Sequence, residues 1–194
     1  PPPSRETLDA SIRKAADFLL KEQNRDGSWG NHTRTKGLNV LCPYPEGPRS
    51  FRTASTSLCV IGLLTSPLKE DPAVKASLDK ALQYLLTTLP TLKRGDTRTV
   101  LGVWGHAYGL SALSRAARNL PADAPLREEL KKVASLQVKA LDQMADVQGG
   151  WGYYTFETFS KRPIGEPTSF LTATVLLAYK DAEQAFGLKA EPRI

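Results

Sequence analysis

The sequence predicts an all-α fold of about three helical hairpins, and three observations lead there. Apolar residues recur at helical spacing in six segments, those segments alternate between two characters, and short patterns repeat along the chain. Strand-like alternation is not sustained over any useful length. The 194 residues fit a single domain, 1–194, with a core large enough to fold, either whole or as one part of a longer protein.

The first helix is expected from about Thr7 to Gln23, with Leu8, Ile12, Ala15 and Leu19 on one face. Ser4 suits its N-cap and Glu6 the positive end of its dipole. A Pro-rich connection, Cys42 to Pro48, leads to a second helix from about Thr53 to Thr65, nearly all small or apolar as a buried helix should be. The third opens at Asp71-Pro72, a capping acid before a proline, and carries Val74, Leu78, Ala81, Leu82 and Leu85. The fourth, about Trp104 to Ala117, is rich in Gly and Ala. The fifth, about Leu126 to Ala145, is charged on one side and apolar on the other. The sixth, about Thr168 to Ala185, follows Pro167 and carries Leu171, Val175 and Leu176.

Odd-numbered helices are long and amphipathic; even-numbered ones have short, apolar side chains. That contrast fits outer helices with one face in water and inner helices surrounded by neighbours. Lys14-Ala15, Lys80-Ala81 and Lys139-Ala140 open three related stretches, with Leu19, Leu85 and Met144 five residues after each Lys. Thr56-Ser57, His106-Ala107 and Thr172-Ala173 fall at matching places on the inner helices.

The stretch from Lys14 to Gln23, followed by Asp26-Gly27-Ser28-Trp29-Gly30, resembles the QW motif of squalene and oxidosqualene cyclases: basic, small, aromatic, aliphatic, then Gln and Gly-x-Trp. A second copy is weaker, with Lys139-Ala140, Met144, Gln148 and Gly149-Gly150-Trp151, but Gln143 in place of the aromatic residue. The stretch at Lys80 has Leu89 in place of the Gln and lacks the Trp. The segment Trp104 to Leu110 is similar to inner helices of bacterial prenyltransferase and squalene-oxidase repeat proteins. The resemblance implies an α/α-toroid, here a partial ring of alternating outer and inner helices. It also implies a structural role for Gln23, Gly27, Trp29, Gln148, Gly149 and Trp151, with Gln pairing helix-end backbone groups and Trp covering neighbouring helices.

What is missing narrows the activity. Squalene-hopene cyclases protonate an alkene with a buried acid in an Asp-rich motif; here no two aspartates are adjacent and no Asp-x-Asp occurs. The Asp-rich diphosphate–metal motif of ionising terpene synthases is also absent. His32, His106, Cys42 and Cys59 lack the spacing of a zinc site, and no phosphate loop, thioester run or Gly-x-Ser-x-Gly elbow appears. No metal or cofactor is expected.

By the same resemblance, a pocket is lined by the ends of inner helices and their preceding loops. That selects Arg52, Tyr108, Tyr153, Tyr154, Thr168 and Ser169 for a ligand, with Glu166 and His106 as the candidate acid and base. Each also has a plainer reading: His106 as a hydrogen-bonded helix-end residue, Arg52 paired with an acid such as Glu46, the tyrosines packed beside Trp151. The expected function is a cyclase-like repeat domain that binds an apolar ligand, an isoprenoid or other lipid, or a protein partner. The alternative is an active cyclase-like isomerase acting on a polyprenyl or triterpene substrate.

A net charge of +6 is spread over several helices, which reads as solvated surface and not as a nucleic-acid face. No apolar run spans a membrane, and Pro1-Pro2-Pro3-Ser4 has neither part of a signal peptide. Cys42 and Cys59 read as free thiols and leave the compartment open. Three hairpins leave inner helices with an exposed flank, which favours a ligand-filled groove or a homodimer.

Overall fold

A computed structural model describes residues 2–31, 45–94, 98–157 and 160–191. Their regular structure is helical: α1 (Arg5–Lys21), α2 (Glu46–Thr65), α3 (Pro72–Thr88), α4 (Val103–Arg118), α5 (Pro125–Met144) and α6 (Ser169–Phe186), with one 3-10 turn after α3. A single isolated antiparallel bridge, Thr99 to Tyr154, ties two loops together. The chain is therefore all-α.

Local chemistry sets most of the boundaries. The Ser4 side chain accepts from the Thr7 amide at the start of α1, and Asp71 accepts from the Ala73 amide before Pro72 opens α3. Gly187, at φ 70°, ends α6, its amide donating to the Glu183 carbonyl. One start differs from the sequence reading. Helix α2 begins at Glu46, so Glu46, Gly47 and Pro48 form its first turn and not a loop. A proline is tolerated there because first-turn amides have no intrahelical acceptor to lose. Pro167 precedes α6, where the sequence reading places it, and the helix starts at Ser169 after Thr168. His32 and Cys42 lie outside the described residues.

The helices form two layers. Helix α4 is the centre of a row α2–α4–α6, and α3 lies over α2 as α5 lies over α4. Twelve of the sixteen residues of α4 are buried, as a helix with neighbours on three sides requires. Small residues allow the close approach: the Gly105 amide donates to Ser50 Oγ (3.2 Å), and a Cβ at Gly109 would overlap Leu89. Arg115 and Arg118 of α4 reach Asp181 of α6 at 2.9 and 3.5 Å, closing the other side of the row.

The turns that follow α1 and α5 are built alike. Trp29 Nε1 donates to the Leu19 carbonyl (2.7 Å) and Trp151 Nε1 to the Leu141 carbonyl (2.9 Å). The Trp29 amide donates to Thr56 Oγ1 on α2, and the Trp151 amide to Thr172 Oγ1 on α6. Gly27 and Gly149 hold φ of 87° and 91° in equivalent turns. Each Trp thus satisfies a terminal carbonyl of the helix before it through its indole and bonds a threonine of the next helix through its amide.

Candidate functional site

The half-buried face of α4 is aromatic. Trp104 and Tyr108, one helical turn apart, stack with ring centroids 5.5 Å apart. Phe170, in the first turn of α6, lies 6.1 Å from Trp104, and Tyr153 from the preceding loop contacts both rings at 6.2 and 5.9 Å. Tyr154 extends the cluster, 6.3 Å from Tyr153. These separations and tilts suit favourable ring–ring contact. The cluster is nevertheless open to solvent: Phe170 is 54% and Tyr154 39% exposed, and Phe51, Leu58 and Leu177 of the same helix row are exposed too.

Backbone geometry holds this platform in place. The Val100 amide donates to the Tyr153 carbonyl (2.7 Å) and the Thr155 amide to the Arg98 carbonyl, so the loop carrying the tyrosines is fixed to the segment leading into α4. Asp146, buried at the end of α5, accepts from the amides of Gln148 (2.9 Å) and Gly165 (2.7 Å), fixing both ends of the excursion before α6.

Among the residues selected from sequence, Tyr108, Tyr153 and Tyr154 meet in this cluster, and Ser169 is exposed beside Phe170. Arg52 does not join them. Its Nη2 forms a bidentate pair with Asp26 (2.9 and 3.1 Å), and its guanidinium sits 5.7 Å from the Tyr84 ring of α3. Its partner is Asp26, not Glu46, which faces Arg49 at 3.7 Å. Burial pushes the Asp26 carboxyl up, but the Ser28 hydroxyl and amide and the Arg52 charge outweigh it and hold the carboxyl below its usual value.

His106 also lies away from the rings. Two residues from both Trp104 and Tyr108, it points from the opposite side of α4 and meets Gln137 of α5, Nδ1 to Oε1 at 2.7 Å. The Gln137 amide nitrogen donates to the Val133 carbonyl, leaving Oε1 to accept, so the His106 proton sits on Nδ1. Nε2 is then a buried acceptor with no partner among the described residues. Burial lowers the His106 pKa, more than the Gln137 contact raises it, and the ring is neutral. Glu166 is exposed in the loop before α6 and takes no part in the ring cluster.

Gln23 donates Nε2 to the carbonyls of Gly27 (3.0 Å) and Ser77 (2.9 Å) and accepts from Ser77 Oγ (2.9 Å), pinning the first turn to α3. Gln148 has a different place. With Trp29 set on Trp151 and Leu19 on Leu141, the counterpart of Gln23 is Ala145 and that of Lys14 is Leu136. The third stretch is therefore shifted by three residues from the alignment on Lys139, and Gln148 is an exposed turn residue.

Trp104 and Phe170 are the site residues that sequence reasoning missed. Both sit in helical segments where an aromatic residue reads as core, and only the exposed side of the helix row reveals them. A second buried polar pair, Tyr179 donating to Asp142 Oδ1 (2.6 Å), joins α6 to α5 away from this cluster. Burial raises the Asp142 carboxyl, outweighing the Tyr179 hydrogen bond that favours its charged form. Among the described residues no group of His, Cys, Asp and Glu is arranged to hold a metal, and no helix is long and apolar enough to cross a membrane. Neither the known protein-family models nor the solved structures contain a match to this chain.

Proposed function

We propose that this chain is a squalene-cyclase-like α/α-toroid repeat domain, a partial ring of three hairpins, that binds an apolar isoprenoid or related lipid without cyclising it. The observation that carries the reading is the open aromatic cluster of Trp104, Tyr108, Tyr153, Tyr154 and Phe170 on the exposed side of the helix row. Rings left half in water present a large apolar area with little rotamer freedom left to lose, which favours a hydrocarbon chain laid across them. Among the described residues no carboxylic acid belongs to the cluster, and the two buried polar groups nearest to catalytic chemistry, His106 and Asp142, are engaged with Gln137 and Tyr179. The described platform thus offers apolar area and not a carboxylic acid.

The test combines extraction with fluorescence. Mass spectrometry of organic extracts from gently purified protein is expected to show an isoprenoid or lipid enriched over a control protein from the same host. Added squalene or farnesol is expected to change tryptophan emission, since Trp104 is the indole at the rings while Trp29 and Trp151 are buried. Trp104→Ala should abolish both signals with the helical circular-dichroism spectrum unchanged. No enrichment together with no response to either probe would overturn the binding reading; cyclised product from squalene would overturn the non-catalytic one.

A further inference from the structure

At its loop end the aromatic cluster adjoins an open cavity of about 260 Å³, lined among the described residues by Arg98, Tyr154, Thr155 and Phe156. Tyr154 belongs to both features, since its ring also lies 6.3 Å from that of Tyr153. Backbone bonds fix the cavity walls. The Thr99–Tyr154 bridge and the Thr155 amide, donating to the Arg98 carbonyl at 2.9 Å, hold the two loops edge to edge. Arg94 Nε donates to the Thr99 carbonyl (3.0 Å), which brings a second guanidinium to the same segment.

The charge at this end is predominantly positive. Residues 93–98 carry Lys93, Arg94 and Arg98 against Asp96, and residues 156–162 carry Lys161 and Arg162 against Glu157. Arg162 is paired with Glu191 at 3.4 Å, and among the described residues no acid lines the cavity. Along the helices the surface changes character. Tyr108 lies one turn along α4 from Trp104, and Leu177 lies two turns along α6 from Phe170, on the same side of that helix and 62% exposed. The apolar track therefore continues for about 10 Å beyond Phe170. One end is basic, and the rest is ring and aliphatic surface.

We infer that this surface takes a monoanionic amphiphile, a hydrocarbon chain ending in a carboxylate, with its head in the Arg98 cavity and its tail along the α4 and α6 rings. The inference rests on the apolar binding read from those rings, and adds the ligand's polarity and direction. A guanidinium presents five N–H donors in a planar fork, so Arg98 can keep its contacts within the protein and still take both oxygens of a carboxylate. One lining guanidinium balances one charge, which suits a carboxylate better than a multiply charged head. Tyr154 and Phe156 give the cavity apolar walls, which a carboxylate on a chain uses and a small hydrated anion does not.

Farnesoate and farnesol share one chain and differ in the head, so titrating both against Trp104 emission is the test, at about pH 8 where the acid is ionised. Arg98 is exposed, which limits the gain: farnesoate is expected to bind roughly fivefold tighter than farnesol at low salt. That preference should shrink in about 1 M salt. Arg98→Gln should bring farnesoate to the affinity of farnesol, with farnesol binding and the helical circular-dichroism spectrum unchanged. Lys14→Gln, an exposed charge on α1, should leave the preference intact. Equal affinities in the wild type, or a preference that survives Arg98→Gln, would overturn the carboxylate head and leave the apolar platform standing. No response to either probe would overturn both.

Discussion

At the residue scale the hydrogen-bond partners decide what each polar side chain does. Arg52 has the sequence context of an anion receptor, but Asp26 and the Tyr84 ring occupy its guanidinium. His106 is held neutral between α4 and α5, its Nε2 buried and without a partner among the described residues, which ties its protonation to stability. Its folded pKa is below the unfolded value of 6.5, so the unfolded chain binds more protons as pH falls. Stability is full above the unfolded value and is lost as pH falls from it toward the folded value, at up to about 1.4 kcal/mol per pH unit. Asp142 acts in the opposite sense, because its raised folded pKa favours the folded state on proton uptake. Comparing wild type with His106→Gln cancels that contribution and any from His32. Urea unfolding between pH 7 and 5 should show wild type losing stability more steeply than the variant; parallel slopes would mean that His106 gains a partner on protonation.

At the element scale all six helices were legible, and the misplaced boundary is informative. Periodicity and caps located α1, α3, α4, α5 and α6 to within about two residues, whereas α2 begins seven residues earlier than expected. A glycine and a proline such as Gly47 and Pro48 punctuate most chains, but the first turn of a helix is where a missing amide costs least. The repeat was legible at its tryptophans and misread at Gln148, because the third turn uses Asp146 in place of a glutamine clamp. Tyr153 and Tyr154 could be named in advance, since they lie in the loop before α6. Trp104 and Phe170 could not, because exposure on a helix row depends on which neighbours are present.

The two equivalent turns separate conformational strain from overlap. Gly27 and Gly149 share a positive φ, but a Cβ at Gly27 would overlap the Lys80 carbonyl of α3 while one at Gly149 meets nothing. Gly149→Ala should cost about 1 kcal/mol for the left-handed backbone alone. Gly27→Ala should cost more, about 2–4 kcal/mol, because α1's turn must also move off α3. Urea midpoints of the two variants measure the difference directly, and equal losses would show that the turn can leave α3 without consequence.

At the scale of the whole molecule, cohesion is graded from centre to ends. Helix α4 is enclosed by α2, α5 and α6, while α1 is held mainly by Trp29, the Gln23–Ser77 bonds and the exposed Arg13–Asp71 pair at 3.0 Å. Exposed ion pairs contribute little, about 0–1 kcal/mol, so opening of α1 requires breaking few contacts and leaves the α4 core intact. Amide hydrogen exchange is therefore expected to run fastest in α1 and slowest in α4. Exchange in α1 as slow as in α4 would show instead that the molecule opens only as a whole.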